Sequence, residues 1–330
     1  MEFLQYTAGV DDDGRRIDRV IRIFLKTIPM TEIYKLIRKG LIRVNGKRVE
    51  CNYRIKKDDE IKIPKFSGGS VYSASKTSIT ADVQDVQDVF KNSYVRIVNK
   101  PYGMSVHGGG SVSGSFPSLE QIVNAQFVPE NESLSFRPGP LHRIDRHTTG
   151  LVVFSQNHKG AVVFSEMLQK HQIKKEYLAV LSGNLQSEAV WEDMLENDED
   201  SMSFYTVKVG EGKLARTKVK PIAHGEFSGS DITLAIIEID TGRKHQIRSQ
   251  CAYHKFPLLG DTAYNNDKAL GNDGRFYLHA WRMTFPTENQ IELPETITAP
   301  LPTNFQNFIR NHLSQGEFSN YNIISYEPVE

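Results

Sequence analysis

Cysteine is scarce in this chain: two among 330 residues, Cys51 and Cys251. They lie far apart and at no metal-binding spacing, which argues against a disulfide framework and a cysteine-built zinc site. Long apolar runs are missing too. None approaches the roughly 20 residues a membrane-spanning helix needs. The opening Met1-Glu2-Phe3-Leu4-Gln5-Tyr6 lacks the basic-then-apolar pattern of a secretory signal. A chain of this kind is expected in a reducing cytoplasm, away from membranes. The ten histidines do not cluster at helical metal spacing, and His142 and His147 stand five apart across a loop, so no metal is expected. Gly108-Gly109-Gly110-Ser111 has no following GKS or GKT and no helix pattern, which excludes a phosphate loop. What remains is 39% hydrophobic and 10% aromatic. That is enough for a proper core, and the length is consistent with two domains.

The formal net charge of zero hides an asymmetry. Residues 15–65 carry 16 Lys and Arg against 6 Asp and Glu, whereas residues 1–14 carry a net −4 and 66–330 a net −6. A basic module on a mildly acidic body is an electrostatic footprint for nucleic acid. Within the module, Ile17, Val20, Ile21, Phe24, Leu25 and Ile28 recur at helical spacing up to Pro29. Thr31 is expected to cap a second helix that runs through Ile33, Leu36 and Ile37 to Gly40. Asn45-Gly46 marks a tight hairpin, and residues 55–63 read as a turn and a short alternating strand. Two helices followed by these turns and strands resemble the S4 RNA-binding domain. Lys35, Arg38, Lys39, Arg43, Lys47 and Arg48 are the candidates to hold phosphates, which would position RNA without reading its sequence. The plainer alternative is a solvated surface, but the charge is concentrated in one small unit. Residues 66–90, Gly/Ser-rich and then Asp-Val-Gln-repetitive, read as a flexible linker.

The most informative stretch runs from Pro140 to Phe154. A single carboxylate, Asp145, stands among Arg143, Arg146, His142 and His147. Gly150 then releases the chain into Leu151-Val152-Val153-Phe154, a buried-strand signal. Burial would disfavour charge on Asp145, and a neighbouring guanidinium would keep it ionised. Such an aspartate suits a nucleophile or base. On charge pattern alone, an aspartate that pins a turn through arginine pairs is the simpler reading.

Other segments are legible in outline. Tyr94–Val98 alternates like a strand, residues 158–171 like an amphipathic helix, and Lys174–Leu181 like a strand that begins with charge. The acidic run at 192–200 reads as a solvated loop. Residues 216–222 and 232–239 read as strands. Thr241 is expected to cap a helix that places Lys244 and Arg248 one turn apart on one face. A closing amphipathic helix is expected over 304–313.

Taken whole, His142-Arg143-Ile144-Asp145-Arg146-His147-Thr148-Thr149-Gly150 resembles the HRLDRxTSG signature of the RluA-type pseudouridine synthases. Asn99-Lys100-Pro101 with Val106-His107, Lys175-Glu176-Tyr177, and Thr241-Gly242-Arg243-Lys244-His245-Gln246-Ile247-Arg248 resemble further segments of that family, in order. So do Gly260-Asp261 and Leu278-His279-Ala280, for which only packing is expected. The chain departs from the signature at Ile144, His147 and Thr149, where Leu, Asp and Ser are usual.

The resemblance implies an α+β fold: an S4-like domain over 1–65, a linker over 66–90, and a catalytic domain over 91–330. The catalytic domain would hold a large mixed, mostly antiparallel sheet, with a cleft across its centre. It implies isomerisation of uridine to pseudouridine in ribosomal RNA, that of the large subunit (23S). Asp145 would be the essential catalytic residue, Tyr177 the residue stacked on uracil or moving a proton, and Arg248 the partner of Asp145. Arg143 would fill the gap left by the flipped nucleotide, and His142 would help bind substrate. The reaction needs no redox change, so no cofactor is expected; nor is an obligate protein partner, which implies a monomer. Two alternatives stay open on residues alone: a catalytically silent RNA-binding factor in ribosome assembly, and a glycosidase or hydrolase with an RNA tether. The second lacks a matched second acid.

Overall fold

The computed structural model describes residues 2–25, 28–65, 86–108, 117–128, 133, 135–196, 212–264, 275–314, 318, 321 and 323. Strand β1 (Phe3–Thr7) opens the chain, and helix α1 follows over Ile17–Phe24, burying Ile17, Val20, Ile21 and Phe24. Helix α2 spans Met30–Arg38 with Pro29 at its N-cap. The expected Thr31 cap is therefore not made, and Thr31 sits inside the first turn. Proline's fixed φ is preorganised for a helix start, and its missing N–H leaves nothing unpaired there. Asn45 and Gly46 both take positive φ, 49° and 73°, the requirement of a type I′ turn. They join β2 (Arg43–Val44) to β3 (Lys47–Arg48). Strand β4 (Glu60–Pro64) completes a sheet of order β1-β4-β2-β3. The two helices pack on it through a core that includes Ile33, Ile37, Ile55 and Ile61.

Most of the expected linker, residues 66–85, lies outside the described residues. Its last part is not linker: Val86 is buried, and β5 (Gln87–Lys91) pairs with β6 (Val95–Lys100). The large domain therefore begins before residue 90. It continues with α3 (Leu119–Gln126), β7 (Thr149–Ser155), α4 (His158–Gln169), β8 (Lys174–Ser182) and β9 (Ala189–Leu195). Then come β10 (Lys213–Phe227), β11 (Ser230–Ile239), α5 (Gln246–Tyr253), β12 (Leu278–Thr284), β13 (Thr296–Thr298) and α6 (Thr303–His312). Among the described residues no helix is long and apolar enough to cross a membrane. Of the expected acidic loop, residues 192–195 are strand, and 197–200 lie outside the described residues. Glu192 and Asp193 belong to β9, and Asp193 is buried against Gln250 and His254.

The large sheet is nine-stranded among the described residues, ordered β5-β6-β7-β12-β8-β11-β10-β9 with β13 beside β12. All pairings are antiparallel except β7 with β12. This is the mixed, mostly antiparallel α+β architecture that the resemblance implies. Side chains alternate between faces along each strand. Val152, Phe154, Tyr177, Ala179, Ala235 and Ile237 thus share one core with residues of α3 and α5. Leu178, Val180, Leu234 and Ile236 pack under α6 on the other face.

The basic module docks on this body. Asp11 accepts from the backbone N–H of His158, at the start of α4, at 2.7 Å. Asp12 accepts from the hydroxyls of Ser133 (2.9 Å) and Ser135 (3.0 Å), and Arg15 donates to Ser135 at 2.6 Å. A carboxylate at a helix N-terminus meets both unpaired N–H groups and the positive end of the dipole.

Candidate active site

Asp145 is held at the edge of the sheet's centre by a clamped loop. Residues 139–142 run back along β7: Leu141 donates to Val153 O (2.8 Å) and Ser155 to Gly139 O (3.0 Å). The carbonyl of Asp145 accepts from Thr148 N–H at 3.1 Å, closing a tight turn just before β7. Gly150 makes the exit possible. Its φ is +107°, and a Cβ there would overlap the backbone of Ala280 on β12. Thr149 and His279 lock the same junction, Oγ1 to Nδ1 at 2.8 Å. His279 is fully buried, and that burial pushes its imidazole down to about 4.

Lys100 supports the loop from below. It is fully buried, and its Nζ donates to the carbonyls of Pro101 (3.0 Å), Met104 (2.8 Å) and Arg146 (3.0 Å). Burial lowers its ammonium to about 7, although nearby Asp145 pulls the other way. Nothing in the sequence around Lys100 signals this role. It ties the β6 end directly to the residue after Asp145.

Asp145, Tyr177, Arg248, Arg143 and His142 line one cleft of about 250 Å³. Drug-sized ligand sites run to ~300–1,000 Å³, so this space suits a single small ring. Arg143, Lys175, Arg243, Lys244 and Arg248 also face it, and Asp145 is the one acid among its described lining residues. Such a field favours a polyanion.

Arg248 makes the expected ion pair with Asp145, but its hydrogen bonds go to a second acid. That acid is Asp261, which accepts two parallel bonds from Nε and Nη2 at 2.7 and 2.8 Å. Asp145 is the longer of its two ion-pair contacts, with Oδ2 at 3.8 Å from Nη1. The guanidinium is wedged between the rings of Tyr264 (5.0 Å) and Phe276 (4.7 Å). Asp261 is 1% exposed and serves more than packing. The expected Thr241 cap is also absent. The helix starts five residues later, with His245 at its N-cap in a left-handed conformation and Lys244 outside it. The Thr241 hydroxyl instead donates to Gln246 Oε1 at 2.7 Å, and Gln246 also accepts from Arg243 N–H.

The remaining candidates divide. Arg143 is exposed, and no hydrogen bond or ion pair joins its side chain to any described residue. His142 is built into the scaffold. Its Nε2 accepts from Val153 N–H at 3.1 Å, and burial pushes its imidazole down to about 3. That nitrogen is not free for substrate. Tyr177 is 7% exposed on β8. Burial, then the charge of Asp145, raises its phenol, so it stays protonated and is a poor base. The six basic candidates of the small domain are all exposed, on α2, β2 and β3 or beside them.

A single carboxylate in a cation-lined cleft, beside a small basic domain, fits an enzyme that works on nucleic acid. Comparison with known proteins narrows this. Residues 15–61 match the S4 domain, and residues 94–253 match the RNA pseudouridylate synthases. The ribosomal large subunit pseudouridine synthase C of Escherichia coli (strain K12) is 30% identical over 286 residues, covering 83% of this chain and 86% of that protein. The enzyme of the same name from Yersinia pestis is 30% identical over 307 residues, 89% and 91% of the two chains. Human RNA Pseudouridylate Synthase Domain Containing 1 shares the fold, with a TM-score of 0.56 at 20% identity over 68% of this chain and 88% of its own. The chain belongs to the RNA pseudouridylate synthase family, in the RluA-type branch, and is an RNA pseudouridine synthase.

Proposed function

We propose that this enzyme converts uridines of large-subunit (23S) ribosomal RNA to pseudouridine in the cytoplasm, as a monomer, with Asp145 as the essential catalytic residue. In the reaction the N1–C1′ bond breaks, the uracil turns, a C5–C1′ bond forms, the C5 proton leaves and N1 takes up a proton. Electrons balance without an oxidant, so no cofactor is called for. Attack on C1′ and removal of the C2′ proton both require an ionised carboxylate with an open oxygen. The observation that carries the reading is that Asp145 lines the cleft with its nearest N–H groups, His245 Nε2 and Arg248 Nη1, 3.7 and 3.8 Å away, too far to tie the carboxylate up in a hydrogen bond. A glycosidase would need a second acid, and the acid beside this assembly, Asp261, is spent on Arg248.

Tyr177 offers an aromatic wall for a uracil taken out of its stack. Arg143, exposed and unpaired among the described residues, would enter RNA and stack on the bases beside the flipped nucleotide. The S4 domain supplies affinity through Lys35, Arg38, Lys39, Arg43, Lys47 and Arg48. A pseudouridine map of ribosomal RNA from cells with and without the protein tests the substrate. Tritium release from RNA labelled at C5 of uridine tests the residue. Asp145→Asn should bind RNA normally and release no tritium. An unchanged map would remove ribosomal RNA as the substrate, and an active Asp145→Asn would remove the carboxylate from the chemistry.

A further inference from the structure

We propose that His245 is a positioning residue for Asp145. It would act as a neutral Nε2–H donor to Oδ2, in a tautomer fixed by the hydroxyl of Tyr264. This inference rests on the reading of Asp145 above and adds which of its two oxygens reacts.

Three observations meet at this ring. The first is backbone. His245 has φ 54°, ψ 17°, a left-handed conformation that β-carbon sterics make costly for most residues. It also stands at the N-cap of α5, where Ser, Asp or Asn would cap the first turn better. Such strain gathers at functional sites and points to a use for the side chain. The second is aim. Nε2 points at Asp145 Oδ2 from 3.7 Å, and Nδ1 lies 3.0 Å from the Tyr264 hydroxyl. The third is convergence. Arg248 Nη1 faces the same Oδ2, from 3.8 Å.

The charge state follows from the surroundings. Burial pushes the imidazole below its ordinary value against the pull of Asp145, and Arg248 and Lys244 push the same way. A neutral imidazole has one N–H and one lone pair. A lone pair at Nε2 would face a carboxylate and be repelled, so the proton belongs on Nε2. Nδ1 is then the acceptor, and Tyr264 donates to it. Tyr264 is itself fixed by the Arg248 guanidinium stacked on its ring. Both distances to Oδ2 exceed a good hydrogen bond. Contacts of this kind tighten when substrate fills the site. His245 and Arg248 then hold Asp145 by Oδ2 and turn Oδ1 to the ribose.

The test uses the full-length protein labelled with 15N-histidine, and His245 is identified by the signal that disappears in His245→Gln. Two-bond 1H–15N correlations read the tautomer without RNA. Turnover is read on 23S transcript carrying 5-tritiated uridine. Wild type should show the Nε2–H form. Tyr264→Phe should give a tautomer mixture and lower kcat about three- to tenfold, the worth of one neutral hydrogen bond, with KM little changed. His245→Gln, which keeps an N–H near the Nε2 position, should retain more turnover than His245→Leu. A wild-type Nδ1–H form would overturn the proposal. So would a Tyr264→Phe variant with unchanged tautomer and kcat, or equal turnover in the Gln and Leu variants. If His245→Leu fails to fold, Tyr264→Phe still decides. If the wild type releases no tritium, the functional reading fails while the tautomer still judges this one.

Discussion

Replacing Asp261 with Asn leaves shape and removes charge at the point where Arg248 is anchored. Arg248 cannot shed its proton in response, because a guanidinium stays charged inside proteins. It cannot swing to water either, being 9% exposed and wedged between Tyr264 and Phe276. The variant would set an amide N–H₂ against guanidinium N–H groups where two bonds of 2.7 and 2.8 Å now form. Breaking a buried pair from one side costs about 3–5 kcal/mol. Asp145, 3.8 Å away, recovers part of this, so the lower end applies. At about 2–4 °C per kcal/mol for a domain of this size, a 3 kcal/mol loss lowers the unfolding temperature by about 6–12 °C. Turnover should fall as well, because a guanidinium released from Asp261 no longer holds Asp145 by Oδ2 in a fixed orientation. Scanning calorimetry and tritium release on 23S transcript measure the two effects. An unfolding temperature within about 2 °C of wild type, together with normal kcat, would refute the anchoring role.

Arg143→Ala should leave stability within about 0.5 kcal/mol, as for an ordinary exposed side chain, yet slow a structured stem-loop far more than a short unstructured RNA. Equal loss on both substrates would count against a role in base flipping. Arg38→Ala with Lys47→Ala should flatten the dependence of log K on log salt by about 0.7–0.9 for each phosphate no longer neutralised. An unchanged slope would mean that these cations only face solvent. Glu176 is buried, and its carboxyl is held below the usual range: burial opposes the charge, but Arg282 at 2.6 Å and Lys174 override it. A depressed folded value stabilises above the ordinary glutamate value of 4.5 and fades as pH falls through the folded one. Urea unfolding of Glu176→Gln should therefore be less acid-sensitive below that pH than wild type. Parallel acid limbs would place the sensitivity elsewhere.

What could be read in advance was whatever is local. Helix α1 follows from the spacing of Ile17, Val20, Ile21 and Phe24. The β2–β3 hairpin follows from Asn45-Gly46, the kind of pair at ease with two positive φ values. The strand after Gly150 follows from four apolar residues in a row. What escaped was made by long-range pairing. Asp261 stands 13 residues from Arg248 with no helical or strand spacing between them, so only tertiary folding could reveal the pair. Lys100 stands in a family-like segment, but its buried role shows only when three carbonyls close on it. Strand β5 hides in a repeat of Asp, Val and Gln because it is an edge strand, and its Asp88 is explained only by Arg96 across the ladder at 2.6 Å. Asp193 looks solvated within an acidic run, yet strand alternation turns it inward with Trp191 and Leu195.

The parallel pairing of β7 with β12 sets an order of events during synthesis. Thr149 sits opposite His279 and Gly150 opposite Ala280, a separation of 130 residues. The carboxylate loop cannot take its final shape until the ribosome has delivered that late strand. The S4 core, by contrast, closes within the first 65 residues. At about 5–20 residues per second, the nascent chain carries a folded RNA-binding head for roughly 10–40 seconds before its chemistry exists. On the proposed role of the S4 domain, tethering to RNA would precede competence, and the growing enzyme would settle on a transcript before it is able to alter one.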